Sequence, residues 1–187
     1  RFEDGDPRKP QLWTPEYQTP EKFIIHHTVT ENDPPNVKAM VRSVYYYHAI
    51  TRGWGDIGYN FLVDWDGRVY EGRFGGPNVV AGHALQYNRG SIGVALLGNF
   101  DVVEPPEAMI ESVIRLFNTR ASHIDPTQAA DFIDLEKLAN VCGHRDVSDT
   151  SCPGEDAYPL IPSIRGWLAG TGPIYIDPPI MKETIRV

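Results

Sequence analysis

The sequence predicts a single α/β domain built on a central mixed β-sheet flanked by helices. Short β-branched and aromatic runs alternate with stretches whose apolar residues recur at helical spacing, the pattern of strands interleaved with helices. Asp66-Gly67 between two such runs marks a tight hairpin, which adds an antiparallel pair to the sheet. At 187 residues, 41% hydrophobic and 11% aromatic, the chain can bury one real core.

The elements follow in order. Residues 1–20 hold four prolines and many charges with little periodicity, and predict an extended arm pinned by Leu12 and Trp13. Residues 23–29 are β-branched and aromatic and predict a buried strand. Asn36 is placed to cap a helix reaching about Ile50, with Val37, Met40, Val41, Val44 and His48 on one face. Gly53, Gly55 and Gly58 then interrupt regular structure. Residues 60–63 and 69–71 are the arms of the hairpin, and residues 91–97 form another buried strand closed by Gly98. An amphipathic helix is expected from Glu107 to about Ser122 through Ile110, Val113, Ile114 and Phe117. An acidic loop follows, then an apolar segment over 135–142 leading into a polar loop. A Pro-interrupted helix over about 160–168 closes the domain. The expected organisation is an arm at 1–20, one domain at 21–170 and a tail at 171–187, with no internal repeat.

Composition narrows the function. A formal net charge of −8 with no Lys/Arg cluster argues against a nucleic-acid partner. No run approaches the roughly 18 apolar residues of a membrane span. The chain opens at Arg1 with neither a basic region nor an apolar one behind it, so any export signal is expected outside these residues.

Three places offer metal-ligand chemistry. His26-His27 lies in the first strand, where side chains alternate, so the two imidazoles face opposite sides and only one can join a given site. Gly143-His144-Arg145-Asp146 sits where an apolar segment ends, and Cys152 precedes Pro153-Gly154. Two imidazoles and a thiolate suit Zn²⁺, and three protein ligands leave one tetrahedral position open, as in catalytic sites. A competing use of Cys152 is a disulfide with Cys142, the only other cysteine, which would consume the thiolate. A His-Glu-x-x-His zincin motif does not occur.

Several ordered blocks resemble one family. They are Ile24-Ile25-His26-His27-Thr28, Gly53-Trp54-Gly55-Asp56-Ile57-Gly58-Tyr59-Asn60-Phe61 and Asp66-Gly67-Arg68-Val69-Tyr70-Glu71-Gly72-Arg73. Gly82-His83, Tyr87-Asn88, Ser91-Ile92-Gly93-Val94, Gly143-His144-Arg145-Asp146 and Thr150-Ser151-Cys152-Pro153-Gly154 continue them. Together they resemble the peptidoglycan recognition proteins, the phage amidase-type lysozymes and the type-2 N-acetylmuramoyl-L-alanine amidases, over about residues 23–154. The resemblance implies one zinc ion held by His26, His144 and Cys152, and so favours His26 over His27. It implies a catalytic Tyr59, and a Thr150 where the phage enzymes carry lysine. A threonine hydroxyl donates a hydrogen bond but supplies no charge. It also implies that His83 contacts substrate or supports the transition state, the alternative being an idle loop histidine. Asp146 is expected to accept a hydrogen bond from a ligand imidazole.

The implied reaction is cleavage of the amide between N-acetylmuramic acid and L-alanine, with Tyr59 or His83 relaying a proton to the leaving amine. The implied partner is peptidoglycan or a muropeptide, and the implied protein is a secreted, periplasmic or cell-wall-associated monomer. Gly53-Trp54 with Arg73 resembles members that take meso-diaminopimelate stems. A guanidinium can bind the extra carboxylate, and an indole can cover the aliphatic stem. The bland alternatives are a solvated Arg73 and a core Trp54. A binding module without metal is the rival from another class, and the intact ligands and Tyr59 argue against it.

Overall fold

The computed structural model describes residues 13–76, 78–132 and 135–170. The expected tail, and all of the arm before Trp13, lie outside them.

Five strands form the main sheet in the order β3-β2-β4-β1-β7. These are β1 (Lys22–His27), β2 (Phe61–Val63), β3 (Val69–Glu71), β4 (Ser91–Leu96) and β7 (Val141–Gly143). β2, β4, β1 and β7 run parallel, and β3 returns antiparallel to β2, so the sheet is mixed as expected. The hairpin turns at Gly67, whose positive φ of 78° admits glycine readily. A Cβ there would lie 2.5 Å from the Ala108 carbonyl oxygen, because the turn is pressed onto the start of a helix. Ser112 Oγ donates to the Gly67 carbonyl across that contact.

Helix α1 (Val37–Tyr46) starts where predicted, with Asn36 Oδ1 accepting the Ala39 N–H at 3.0 Å. It does not run on as an α-helix to Ile50. From Tyr47 the chain widens into an i→i+5 turn, in which Arg52 N–H donates to the Tyr47 carbonyl. Helix α2 (Glu107–Arg120) carries Glu107 in its first turn and Arg120 in its last, both favourable to the helix dipole. Helix α3 (Ile161–Leu168) follows a short 3₁₀ turn. A second sheet, β5 (Ala129–Phe132) paired with β6 (Leu135–Ala139), occupies the region expected to be an acidic loop and an apolar segment.

The larger core lies on one face of the main sheet. Phe23, Ile25, Val94 and Leu96 pack there against Met109, Val113 and Phe117 of α2 and Ile161 and Ile164 of α3. Phe23 meets Phe117 edge-on, at 5.4 Å between ring centres. The opposite face carries two smaller clusters. Val41 and Val44 of α1 cover Leu62, Ala95 and Leu97 in one, and Ile24 sits with Ala84, Tyr87, Cys142 and Val147 in the other. No helix among the described residues is long and apolar enough to cross a membrane.

Candidate metal centre

Parallel pairing assembles the site. β1 and β7 run side by side with Ile25 opposite Gly143, and each strand then delivers a histidine at its C-terminal end. His26 and His144 come within 4.4 Å, ring centre to ring centre. The loop after His144 returns Cys152 to the same place, with its N–H held by Thr150 Oγ1 at 3.2 Å. The three donor atoms lie within 4.8 Å of one another. His26 Nδ1 is 3.7 Å from Cys152 Sγ, against about 3.5 Å for imidazole and thiolate donors on one tetrahedral zinc. Both cysteines are free thiols, so the competing disulfide does not form.

The electrostatics suit a cation. Burial holds the His26 imidazole well below its ordinary range, with His83, His144 and His27 adding to the effect. Burial, then His27, lowers His144 as well. These rings therefore present lone pairs rather than positive charge. Burial pushes the Cys152 thiol up to about 12, while the His27 N–H, 3.4 Å from Sγ, pulls it partly back. Such a thiol gives up its proton when a cation arrives to balance the charge. Neutral imidazoles and a buried thiol at this spacing fit zinc.

His27 lies on the far face, where its Nδ1 accepts the Phe100 N–H at 3.2 Å. Tyr59 stands beside His26, ring centres 5.3 Å apart. Burial, with Cys152 nearby, raises its phenol above the ordinary tyrosine value, so it remains a hydrogen-bond donor. His48, read from the sequence only as a helix-face residue, joins this row. Its ring is 5.4 Å from Tyr59 and is stacked on Trp54 at 4.8 Å. Its Nδ1 accepts the Gly58 N–H, and burial, then Arg52, lowers its pKa to about 4. The aromatic row thus runs from exposed Trp54, beside exposed Gly53, through His48 and Tyr59 to His26 and half-buried His144.

Three more of the expected site residues have partners within the protein. His83 is 7% exposed, and its ring nitrogens face His26 Nε2 at 2.9 Å and Ser91 Oγ at 3.1 Å. Both nitrogens are thus engaged inside the protein. Asp146 meets Gly143 N–H and the Tyr158 hydroxyl, and so braces the turn that carries His144. The group that meets a ligand imidazole is His83. Arg73 is 3% exposed and not solvated. Its Nη1 pairs with Asp56 at 3.1 Å, its Nη2 donates to the Trp13 carbonyl at 2.8 Å, and its guanidinium lies 4.0 Å from the centre of the Trp13 ring.

A family model described as N-acetylmuramoyl-L-alanine amidase matches residues 16–155. The chain is 36% identical over 154 residues to peptidoglycan-recognition protein LB of Drosophila melanogaster, covering 79% of this chain and 60% of that protein. Against protein SC1a of the same fly it is 38% identical over 156 residues, covering 80% of this chain and 74% of that one. It is 36% identical over 158 residues to a human N-acetylmuramoyl-L-alanine amidase, covering 80% of this chain and 25% of the human protein. Among solved structures, wild-type Drosophila LB matches with a TM-score of 0.67 and 32% identity, over 83% of this chain and 87% of that one. Peptidoglycan recognition protein LE, in complex with tracheal cytotoxin (monomeric diaminopimelic acid-type peptidoglycan), matches with a TM-score of 0.68 and 31% identity, over 83% and 86%.

Proposed function

The chain belongs to the N-acetylmuramoyl-L-alanine amidase family, and on that premise we propose that it is a zinc-dependent hydrolase of peptidoglycan. The bond cut is the amide between N-acetylmuramic acid and L-alanine, and stems bearing meso-diaminopimelate are preferred. The observation that carries this reading is the convergence of His26, His144 and Cys152 beside the phenol of Tyr59. Two neutral imidazoles and a buried thiol grouped beside a phenol support a metal hydrolase over a pure binding module.

His26, His144 and Cys152 would hold the ion. Zinc there supplies Lewis acidity, which polarises a carbonyl and brings the pKa of a water toward neutrality. Tyr59, kept protonated, donates a hydrogen bond to the oxyanion that develops on the scissile carbonyl. Thr150 serves in the same way. Its Oγ1 already accepts the Cys152 N–H, which leaves the hydroxyl proton to be given. With both His83 nitrogens engaged, Tyr59 is the better candidate to pass a proton to the leaving amine.

Trp54, 37% exposed, with His48 stacked on its ring and the Arg52 guanidinium 5.4 Å from the ring centre, offers indole surface to the aliphatic part of the stem. The diaminopimelate preference draws support from the LE relative and its ligand. Arg73 meets Asp56 through Nη1 and the Trp13 carbonyl through Nη2, so binding the extra carboxylate calls on another of the five guanidinium N–H donors. The action is placed outside the cytoplasmic membrane, where the polymer lies.

The test is the zinc content of protein purified without added metal, with release of stem peptide from diaminopimelate-type and lysine-type muropeptides before and after chelation. About one zinc per chain, with cleavage lost on chelation and restored by zinc, is expected, and the diaminopimelate type should be cut faster. Muropeptide binding without zinc and without cleavage would make the chain a recognition module instead.

A further inference from the structure

His26 has two ring nitrogens, and a metal ligand must offer the right one bare. We propose that Ser91 and His83 form a relay that fixes His26 as its Nε2–H tautomer, so that the Nδ1 lone pair always faces Cys152 and His144. The proposal rests on the reading of His26 as a zinc ligand.

The direction of the relay follows from its far end. Ser91 Oγ donates to the Tyr87 carbonyl at 2.5 Å. A carbonyl oxygen only accepts, and a serine has one hydroxyl proton, so that proton is committed. Toward His83, Ser91 can then only accept, and His83 Nε2, at 3.1 Å, must carry the hydrogen. A neutral imidazole has one N–H, which leaves His83 Nδ1 with a lone pair. That lone pair faces His26 Nε2 at 2.9 Å, so the His26 hydrogen sits on Nε2 and Nδ1 is bare. Nδ1 is the nitrogen 3.7 Å from Cys152 Sγ.

The relay is also held rigidly. Ser91 opens β4, the strand beside β1, and the loop before it is closed by Ala84 N–H on Asn88 Oδ1 and Tyr87 N–H on the Ala84 carbonyl. The His83 ring rests directly on Gly93, where a Cβ would lie 2.2 Å from its Cγ. A ring wedged on backbone and bonded at both nitrogens cannot flip. Outer partners of ligating histidines are commonly carboxylates or carbonyls. Here the acceptor is a neutral imidazole, which orients His26 without placing a second negative charge beside the Cys152 thiolate. His83 and Ser91 are thus positioning residues.

Three variants of the whole chain test this: His83→Phe, which keeps a ring but no acceptor; His83→Asn, which returns an acceptor near the Nδ1 position; and Ser91→Ala. Zinc affinity is read by competition with a chromophoric chelator, and the His26 tautomer by ¹⁵N NMR of the metal-free protein. Wild type should show His26 as Nε2–H. His83→Phe should weaken zinc binding by about 10–100-fold, Ser91→Ala should mix the tautomers, and His83→Asn should recover most of the affinity. Unchanged zinc affinity and an unchanged His26 tautomer in His83→Phe would overturn the relay. If His83→Phe does not fold, Ser91→Ala decides by the same two readouts. If the wild type itself takes no zinc, the ligand reading fails, and the tautomer measurement alone decides the relay.

Discussion

His26 and His27 are neighbours on one strand and are almost equally buried, at 1% and 3% exposure, yet they serve opposite faces of the sheet. On the His27 face, large side chains from β1 and β4 mesh with α2 and α3, and His27 is fixed by one backbone N–H. On the His26 face, β4 presents Gly93 and Ala95 in place of Val94 and Leu96. The room left by those small residues admits His83, and with it a line of polar and aromatic groups between two minor clusters. One face carries the larger core, and the other, the chemical face, carries the proposed metal site between two smaller clusters. Alternation along an extended strand is enough to separate them by a single residue.

The sharpest way to break this division is to remove a ligand from the chemical face. Cys152→Ala should lower muropeptide turnover by on the order of 10³-fold or more and abolish stoichiometric zinc, with the circular dichroism of the fold unchanged. The matching cut on the other face is Phe23→Ala. Losing a fully buried ring that packs on Phe117 should cost about 3–5 kcal/mol, read as a lower urea midpoint, while the molecules that remain folded still take up zinc. Loss of zinc under folding conditions in that variant would show that the two faces are coupled.

Within the chemical face, Tyr59→Phe should lower kcat by roughly 10²-fold and leave the zinc affinity and KM near their wild-type values. A matching loss of zinc would make the phenol a structural support instead.

Without metal, the same face should also give the protein a pH-dependent stability. Burial lowers His48 to about 4 and His83 to about 3, both on the His26 face. The unfolded chain takes up protons near pH 6.5 that the folded chain refuses. Stability is therefore full above pH 6.5 and falls as the pH drops toward about 4 and then 3. Urea unfolding across that range should show the decline. His48→Asn, which keeps an acceptor near the Nδ1 position for the Gly58 N–H, should shrink it and leave the His83 part.

Much of the fold was legible because strong local signals agreed with one another. Asn36 before a helical stripe, Asp66-Gly67 between two short strands, and the unbroken apolar run at 91–97 each state an element in local terms. The β5–β6 hairpin was not legible. Residues 129–139 mix alanines with acidic side chains at no clear period, and their pairing with each other supplies what their propensity lacks. His48 was misplaced for a related reason. Its spacing is that of a helix face, but the wide turn beginning at Tyr47 redirects it from the α1 core toward Tyr59 and Trp54.

By itself the sequence determined the mixed sheet and the ordered motif blocks, because propensity and strand alternation are local properties, while the choice of His26, His144 and Cys152 as a donor set came from the resemblance those blocks carry. The tertiary structure decided which groups those donors meet. That His83 rather than Asp146 touches His26, that Arg73 is held by Asp56 and Trp13, and that Cys142 leaves Cys152 unpaired all depend on contacts between distant segments. Parallel pairing of β1 with β7 and β4 sets the contacts around His26, and the β2–β3 hairpin sets those of Arg73. No spacing along the chain encodes them, because a hydrogen bond depends on distance and direction in space.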